Sequence, residues 1–122
     1  MSKKTVIIGA SVNPSRYAYL AAEMLTEYGH EIIPLGLRKG ELFGTVVRLL
    51  AEKPAVADVD TITLYMNPVN QKPWLDYLIS LKPKRIIFNP GTENPELETR
   101  ARAAGIETVH GCTLVMLRTG QY

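Results

Sequence analysis

The stretch VIIGASVNPSRYAYLAAEML, residues 6–25, decides how the rest of the chain is read. A continuous β-branched run passes through a glycine into residues at helical spacing, the order of a strand, a tight turn and a helix. A dinucleotide fingerprint at such a turn asks for G-x-G-x-x-G. Here Gly9 is followed by Ser11 and Pro14 where the other two glycines belong. Gly9 keeps the backbone bare where it would approach a pyrophosphate, and Ser11 offers a hydroxyl and a backbone N–H. Arg16 stands in a helix start that holds Ser11, Asn13 and Ser15 and no acid before Glu23. The plainer reading of GASVNPSR is a turn with a serine or asparagine cap. The absence of acids makes it an anion site, because a helix N-terminus presents free N–H groups and a positive dipole end.

Outward from this unit, apolar runs alternate with helix-like stretches. Residues 5–9, 30–35, 60–66, 85–89 and 107–111 read as five short strands, the first a continuous β-branched run expected to be buried on both faces. Tyr17, Leu20, Ala21, Met24, Leu25 and Tyr28 fall at helical spacing and mark a first helix, which closes at Gly29. A second helix starts at Pro73 and ends before Pro83. A third follows Asn94-Pro95, with Leu97, Ala101 and Ala104 facing inward, and ends at Gly105. Residues 36–58 read least clearly: a short helix there is opposed by Gly44 and by Thr45-Val46-Val47. Residues 112–117, CTLVML, form an apolar tail that must be tied down. Strands with helical crossovers imply a Rossmann-like three-layer α/β/α sandwich with a five-stranded, mainly parallel sheet.

In such a sheet, ligands bind beyond the carboxyl ends of the strands. The strand ends here are Gly9–Tyr17, Pro34–Lys39, Tyr65–Pro68 and Asn89–Glu93. The start of the last crossover helix carries Glu93, Glu96 and Glu98, which suit the helix dipole but repel an anion. A NAD site places an acid at the end of the second strand to bind the ribose hydroxyls. This strand ends PLGLRKG, with Arg38 and Lys39 and no acid before Glu41. The pair suits a phosphate on the ribose, the 3′-phosphate of coenzyme A or the 2′-phosphate of NADP. Tyr65, Met66 and Asn67 are placed to line a pantetheine channel or to complete the core. Asn89, Pro90 and Gly91 form a tight loop at the same edge.

The bulk properties agree with a modest target. At 122 residues the chain has the length of one domain, 1–122. A formal net charge of +2, from 14 basic and 12 acidic residues, gives no nucleic-acid surface. The single cysteine, Cys112, excludes an internal disulfide framework and fits a reducing cytosol. No run is long enough for a signal peptide or membrane span, so the expected location is cytoplasmic.

At this point the chain resembles the small stand-alone coenzyme A-binding proteins, relatives of the nucleotide-binding domain of succinyl-CoA synthetase α subunits. The resemblance rests on residues 6–25, on GHEIIPLG, on RIIFNPGTENPELETRARAAGIETVHGC, and on their order. It covers nearly the whole chain. It implies that Gly9-Ala10-Ser11 cradles a pyrophosphate, with Pro14, Arg16 and Tyr17 also contacting the nucleotide and Pro34 and Leu35 flanking it. Many relatives carry PVNP where this chain has PLGL, and a glutamine-containing segment where it has NPGTEN.

For catalysis the sequence offers little. His30 opens a strand at the end opposite the ligand and reads as structural. His110 and Cys112 make a Cys–His pair without an orienting partner, and the plainer reading is a small thiol packed in the tail. No metal-ligand spacing, Walker motif or Ser–His–Asp order is visible. The expected function is therefore binding of coenzyme A or an acyl-CoA, as a non-catalytic carrier, sensor or partner subunit. The competing expectations are a small NADP-dependent oxidoreductase, and a protein-interaction module with a vestigial nucleotide site.

Overall fold

The computed structural model describes residues 2–122. Seven strands form one sheet: β1 (Thr5–Ile8), β2 (Ile32–Gly36), β3 (Gly40–Leu42), β4 (Thr45–Leu49), β5 (Thr61–Leu64), β6 (Arg85–Phe88) and β7 (Glu107–His110). Their order is β3-β4-β2-β1-β5-β6-β7, and every neighbouring pair is parallel except the hairpin β3–β4. The helices are α1 (Tyr17–Glu27), α2 (Pro68–Gln71), α3 (Leu75–Ser80), α4 (Pro95–Ala103) and α5 (Thr113–Arg118).

The expected five-stranded sheet is corrected to seven, and residues 36–58 hold the additional two strands rather than a helix. Leu42 pairs with Thr45, leaving Phe43-Gly44 as a two-residue loop. Both loop residues have positive φ, 50° and 82°, the conformation whose twist matches that of a hairpin. The Phe43 ring packs on Tyr19, with centroids 5.2 Å apart, which holds a bulky side chain in this backbone region. β4 then joins the parallel sheet beside β2, with Leu35 opposite Arg48.

Alternation along the strands sends side chains to two cores. Val6, Ile8, Ile62, Leu64, Ile86 and Phe88 pack beneath α3 and α4, whereas Ile7, Ile32 and Val47 pack beneath α1 and α5. The α1 face that meets the sheet is Ala18, Ala21, Ala22 and Leu25. Tyr17, Leu20 and Tyr28 are exposed, because the small alanines let the helix approach the strands closely and turn the larger residues outward. Ala104 is likewise exposed, while Leu97 and Ala101 are buried. α1 ends in a paired cap: Gly29 N–H donates to Thr26 O and His30 N–H to Leu25 O.

The second crossover starts earlier than Pro73. Asn67 caps α2 by accepting from Asn70 N–H at 2.8 Å, with Pro68 in the first turn. Pro73 has no N–H to continue the α-helical ladder, so residues 72–74 tighten to a 3₁₀ turn before α3. The tail is secured by α5, which buries Thr113, Leu114 and Leu117 against the α1 layer. Tyr122 ends under the amino edge of the sheet, its hydroxyl on Thr5 Oγ1 and its ring 4.4 Å from the buried Arg85 guanidinium. No helix among the described residues is long and apolar enough to cross a membrane.

Candidate functional site

The carboxyl ends of β1, β2, β5 and β6 surround a cleft of about 920 Å³, within the roughly 300–1,000 Å³ of small-molecule sites. The β1–α1 loop forms its floor. This loop is built by its own short side chains: Asn13 N–H donates to Ser11 Oγ at 3.1 Å, and Asn13 Oδ1 accepts from Ser15 N–H and Ser15 Oγ. Arg16 N–H donates to Asn13 O, and Arg16 then stands at the cap position of α1 with no side chain closing the helix end. No acid occupies the first turn.

Gly9 is required here by the protein itself. Its φ is +90°, and a Cβ would lie 2.8 Å from Met66 Cγ and 3.0 Å from the Tyr65 carbonyl oxygen. Gly36 is required for a similar reason, since a Cβ there would meet the Ala10 carbonyl oxygen at 2.5 Å. The two close approaches press the ends of β1, β2 and β5 together. The amides of Gly9 and Ala10 both donate to Leu35 O at 3.0 Å. Those of Ser11, Val12, Tyr17 and Ala18 have no partner among the described residues. An anion in the cleft therefore meets the amides that follow Ala10, not those of Gly9 and Ala10.

The opposite wall is fixed by a buried amide network. Gln71 donates through Nε2 to Met66 O at 2.7 Å and Thr92 O at 2.8 Å, and accepts from Asn94 Nδ2 at 2.9 Å. This ties the start of α2 to the loop before α4. Asn89 plays the matching part beneath: Nδ2 donates to Thr63 Oγ1 and Leu64 O, and Oδ1 accepts from Thr113 N–H.

Of the residues singled out from sequence, the cleft gathers Gly9, Ala10, Ser11, Arg16, Tyr17, Arg38, Lys39, Tyr65, Met66, Asn67, Pro90 and Gly91. Four lie elsewhere. Pro14 sits exposed in the turn outside the lining, and Asn89 is buried as a brace between strands. Leu35 points into the core beneath α3 and α4, contributing only its carbonyl to the loop. Pro34 borders a different hollow beside Lys4 and Arg48. Val12, Asn13, Ser15, Ala18, Leu37, Val47, Asn70 and Thr92 also line the cleft and were not among those residues. Val12 and Leu37 fall within the strand-end ranges 9–17 and 34–39, whereas Val47 is brought in by the β3–β4 hairpin. Gly40 leaves room for Val12, whose Cγ1 a Cβ would meet at 2.7 Å.

The electrostatics are one-sided. Arg16, Arg38 and Lys39 line the cleft, no carboxylate does, and none of the three has an ion-pair partner among the described residues. No histidine or cysteine lines it either. Tyr65 is the one buried titratable group on its wall; its hydroxyl is buried without a partner, and burial pushes its pKa well above the usual phenol value. It stays neutral at physiological pH. His110 is turned away and bonds Glu98 Oε2 at 2.9 Å, while its ring stacks on Phe88. Cys112 caps α5 and is half-buried. His30 is fixed at the amino edge, where Nδ1 accepts from Lys3 N–H, and burial lowers its pKa. No cluster of three or more metal-ligating side chains occurs among the described residues.

Residues 3–118 match the family model described as CoA binding domain. The chain belongs to the CoA-binding-domain family. This family membership carries coenzyme A binding as its general property. A crystal structure of an uncharacterized protein shares 55% identity with this family member, over 100% of this chain and 99% of that one, with a TM-score of 0.96. A hypothetical protein from Pyrococcus horikoshii OT3 has 24% identity, covers 97% of this chain and 83% of that chain, and has a TM-score of 0.83. A protein from Thermus thermophilus has 24% identity, 99% and 91% coverage, and a TM-score of 0.84. At that identity the last two speak for the fold alone. Among curated proteins the chain has no match.

Proposed function

We propose that the cleft binds coenzyme A or an acyl-CoA and that the chain acts as a carrier, sensor or partner subunit without chemistry of its own. The observation that carries this reading is the set of three cations, with no opposing carboxylate, around one cleft. In this reading the pyrophosphate sits over the free amides of Ser11 and Val12 and the open start of α1, with Arg16 beside it. Arg38 and Lys39 take the 3′-phosphate on the ribose, where a NAD site would hold an acid. Coenzyme A supplies a thiol that carries acyl groups as thioesters. The residues of this chain bind and orient it, and the cleft offers no histidine, cysteine or carboxylate to move a proton at neutral pH. The half-buried lone cysteine accords with a reducing, cytoplasmic setting.

Calorimetric titration with coenzyme A, dephospho-coenzyme A and NADP tests this directly. Coenzyme A is expected to bind tightest, and removal of the 3′-phosphate to weaken it about tenfold, the effect of one charge-assisted contact. Binding of NADP in preference to coenzyme A, or no heat with any of the three at millimolar concentration, overturns the assignment.

A further inference from the structure

A second hollow, of about 360 Å³, lies away from the cleft, over β2 and β4 on the sheet face opposite α1. Its existence follows from topology. The connections β1–β2, β5–β6 and β6–β7 each lay at least one α-helix over the sheet, but the β4–β5 crossover carries only a 3₁₀ turn, Leu50–Glu52, and extended chain. Ile33 and Val56 are consequently only half-buried, and Val46 is 62% exposed. Lys4 and Arg48 flank these apolar residues, no carboxylate lines the hollow, and neither cation has an ion-pair partner among the described residues.

The same molecule carries a surface of opposite character. The outward side of α1 presents Tyr17, Leu20 and Tyr28, with Glu23 and Glu27 beside them and no cation from Tyr17 to Glu27. Two-fold pairings of either surface are disfavoured. An α1–α1 contact sets Glu23 and Glu27 against their own copies, and a contact between two hollows does the same with Lys4 and Arg48. Only a head-to-tail contact places apolar on apolar and carboxylate on cation.

We propose that α1 of a second copy docks in this hollow, supplying the helix that the β4–β5 crossover lacks. Glu23 and Glu27 then face Lys4 and Arg48, and Leu20 covers Val46. Eleven residues of helix span about 16 Å, less than an interface of roughly 800 Å² per partner requires, so the contact is weak and concentration-dependent. The contact meets the carboxyl-end cleft only at Tyr17 on its rim, and it rests on no assumption about what that cleft binds.

Sedimentation velocity from about 10 μM to 1 mM, at low and high salt, tests the contact. The native chain is expected to associate with rising concentration, and less so at high salt, which screens the pairs. Arg48→Glu and Glu27→Arg are each expected to move association to about tenfold higher concentration. An equimolar mixture of the two variants should recover association, because the native α1 of one chain meets the native hollow of the other and the two reversed charges pair at the remaining contact. Leu20→Asp and Val46→Asp repeat the test through the apolar contact, with melting curves confirming that each variant is folded. A native chain that stays monomeric throughout overturns the proposal. So does association that survives both charge reversals, or a mixture that does not recover association.

Discussion

Two helices, α1 and α4, begin at the same edge of the sheet, each after a parallel strand, and their first turns are treated in opposite ways. At α4, Asn94 accepts from Leu97 N–H, Glu96 and Glu98 answer the helix dipole, and Glu98 is itself held by Arg102 and His110. At α1 no side chain caps the helix, no acid enters the first turn, and Arg16 adds positive charge. One N-terminus is satisfied from within, and the other is left open. On the proposed function, stability is built into the first and affinity into the second, and substitutions at the two places should separate these quantities.

The largest effect is expected from charge reversal on the α1 side. Arg16→Glu or Arg38→Glu should each weaken coenzyme A about 100-fold by calorimetry, through loss of a charge-assisted contact and gain of a repulsive one. Glu96→Lys, the mirror change at α4, should leave that affinity within about twofold. Retained affinity in Arg16→Glu would remove α1 as the phosphate site.

Asn94→Ala should do the reverse. It removes the α4 cap and leaves the buried Gln71 Oε1 without its donor, at a cost of about 2 kcal/mol. Chemical denaturation should report this as a lower midpoint. Because Gln71 also ties the far wall of the cleft, a modest loss of affinity is expected to accompany it.

A smaller change comes from the ribose end. The roughly tenfold preference for coenzyme A over its dephospho form should vanish in Arg38→Ala/Lys39→Ala, with the variant's melting temperature unchanged. Persistence of the preference would place the 3′-phosphate elsewhere.

The smallest is a pH effect at α4. The hydrogen bond from His110 holds the Glu98 carboxyl below its ordinary value of 4.5. A carboxyl whose folded-state pKa is depressed adds stability above its unfolded value and loses it as pH falls through the folded one. The melting temperature should therefore drop slightly as pH falls through and below 4.5, and His110→Ala should flatten that drop. Coenzyme A affinity should be insensitive to the same substitution.

How much of this was legible in the sequence depends on what each residue does. β1, β2, β5 and β6 could be read because both faces are largely buried, which leaves continuous apolar runs; β7, at the sheet edge and partly exposed, could be read from its place after the last helix. β3 and β4 could not, since Val46 and Arg48 face solvent and Gly40 and Gly44 resemble loop. The helical spacing of Tyr17, Leu20, Ala21, Met24, Leu25 and Tyr28 marks α1 but not its buried face; packing against the sheet favours Ala18, Ala21, Ala22 and Leu25, and the tyrosines are displaced outward. Within the cleft, residues of the strand-end turns could be found from their positions. Val47 could not, because it is brought there by the β3–β4 hairpin, which the residue pattern does not reveal.

Gly9 carries a consequence for descent. Met66 and the Tyr65 backbone exclude any side chain at that position, with or without a nucleotide in the cleft. In a lineage that abandoned its ligand, Gly9 would persist under selection for folding alone, while Arg16, Arg38 and Lys39 would be free to drift. The glycine of this turn is thus a record of shared architecture, and on the proposed function the exposed cations around it would be the record of use.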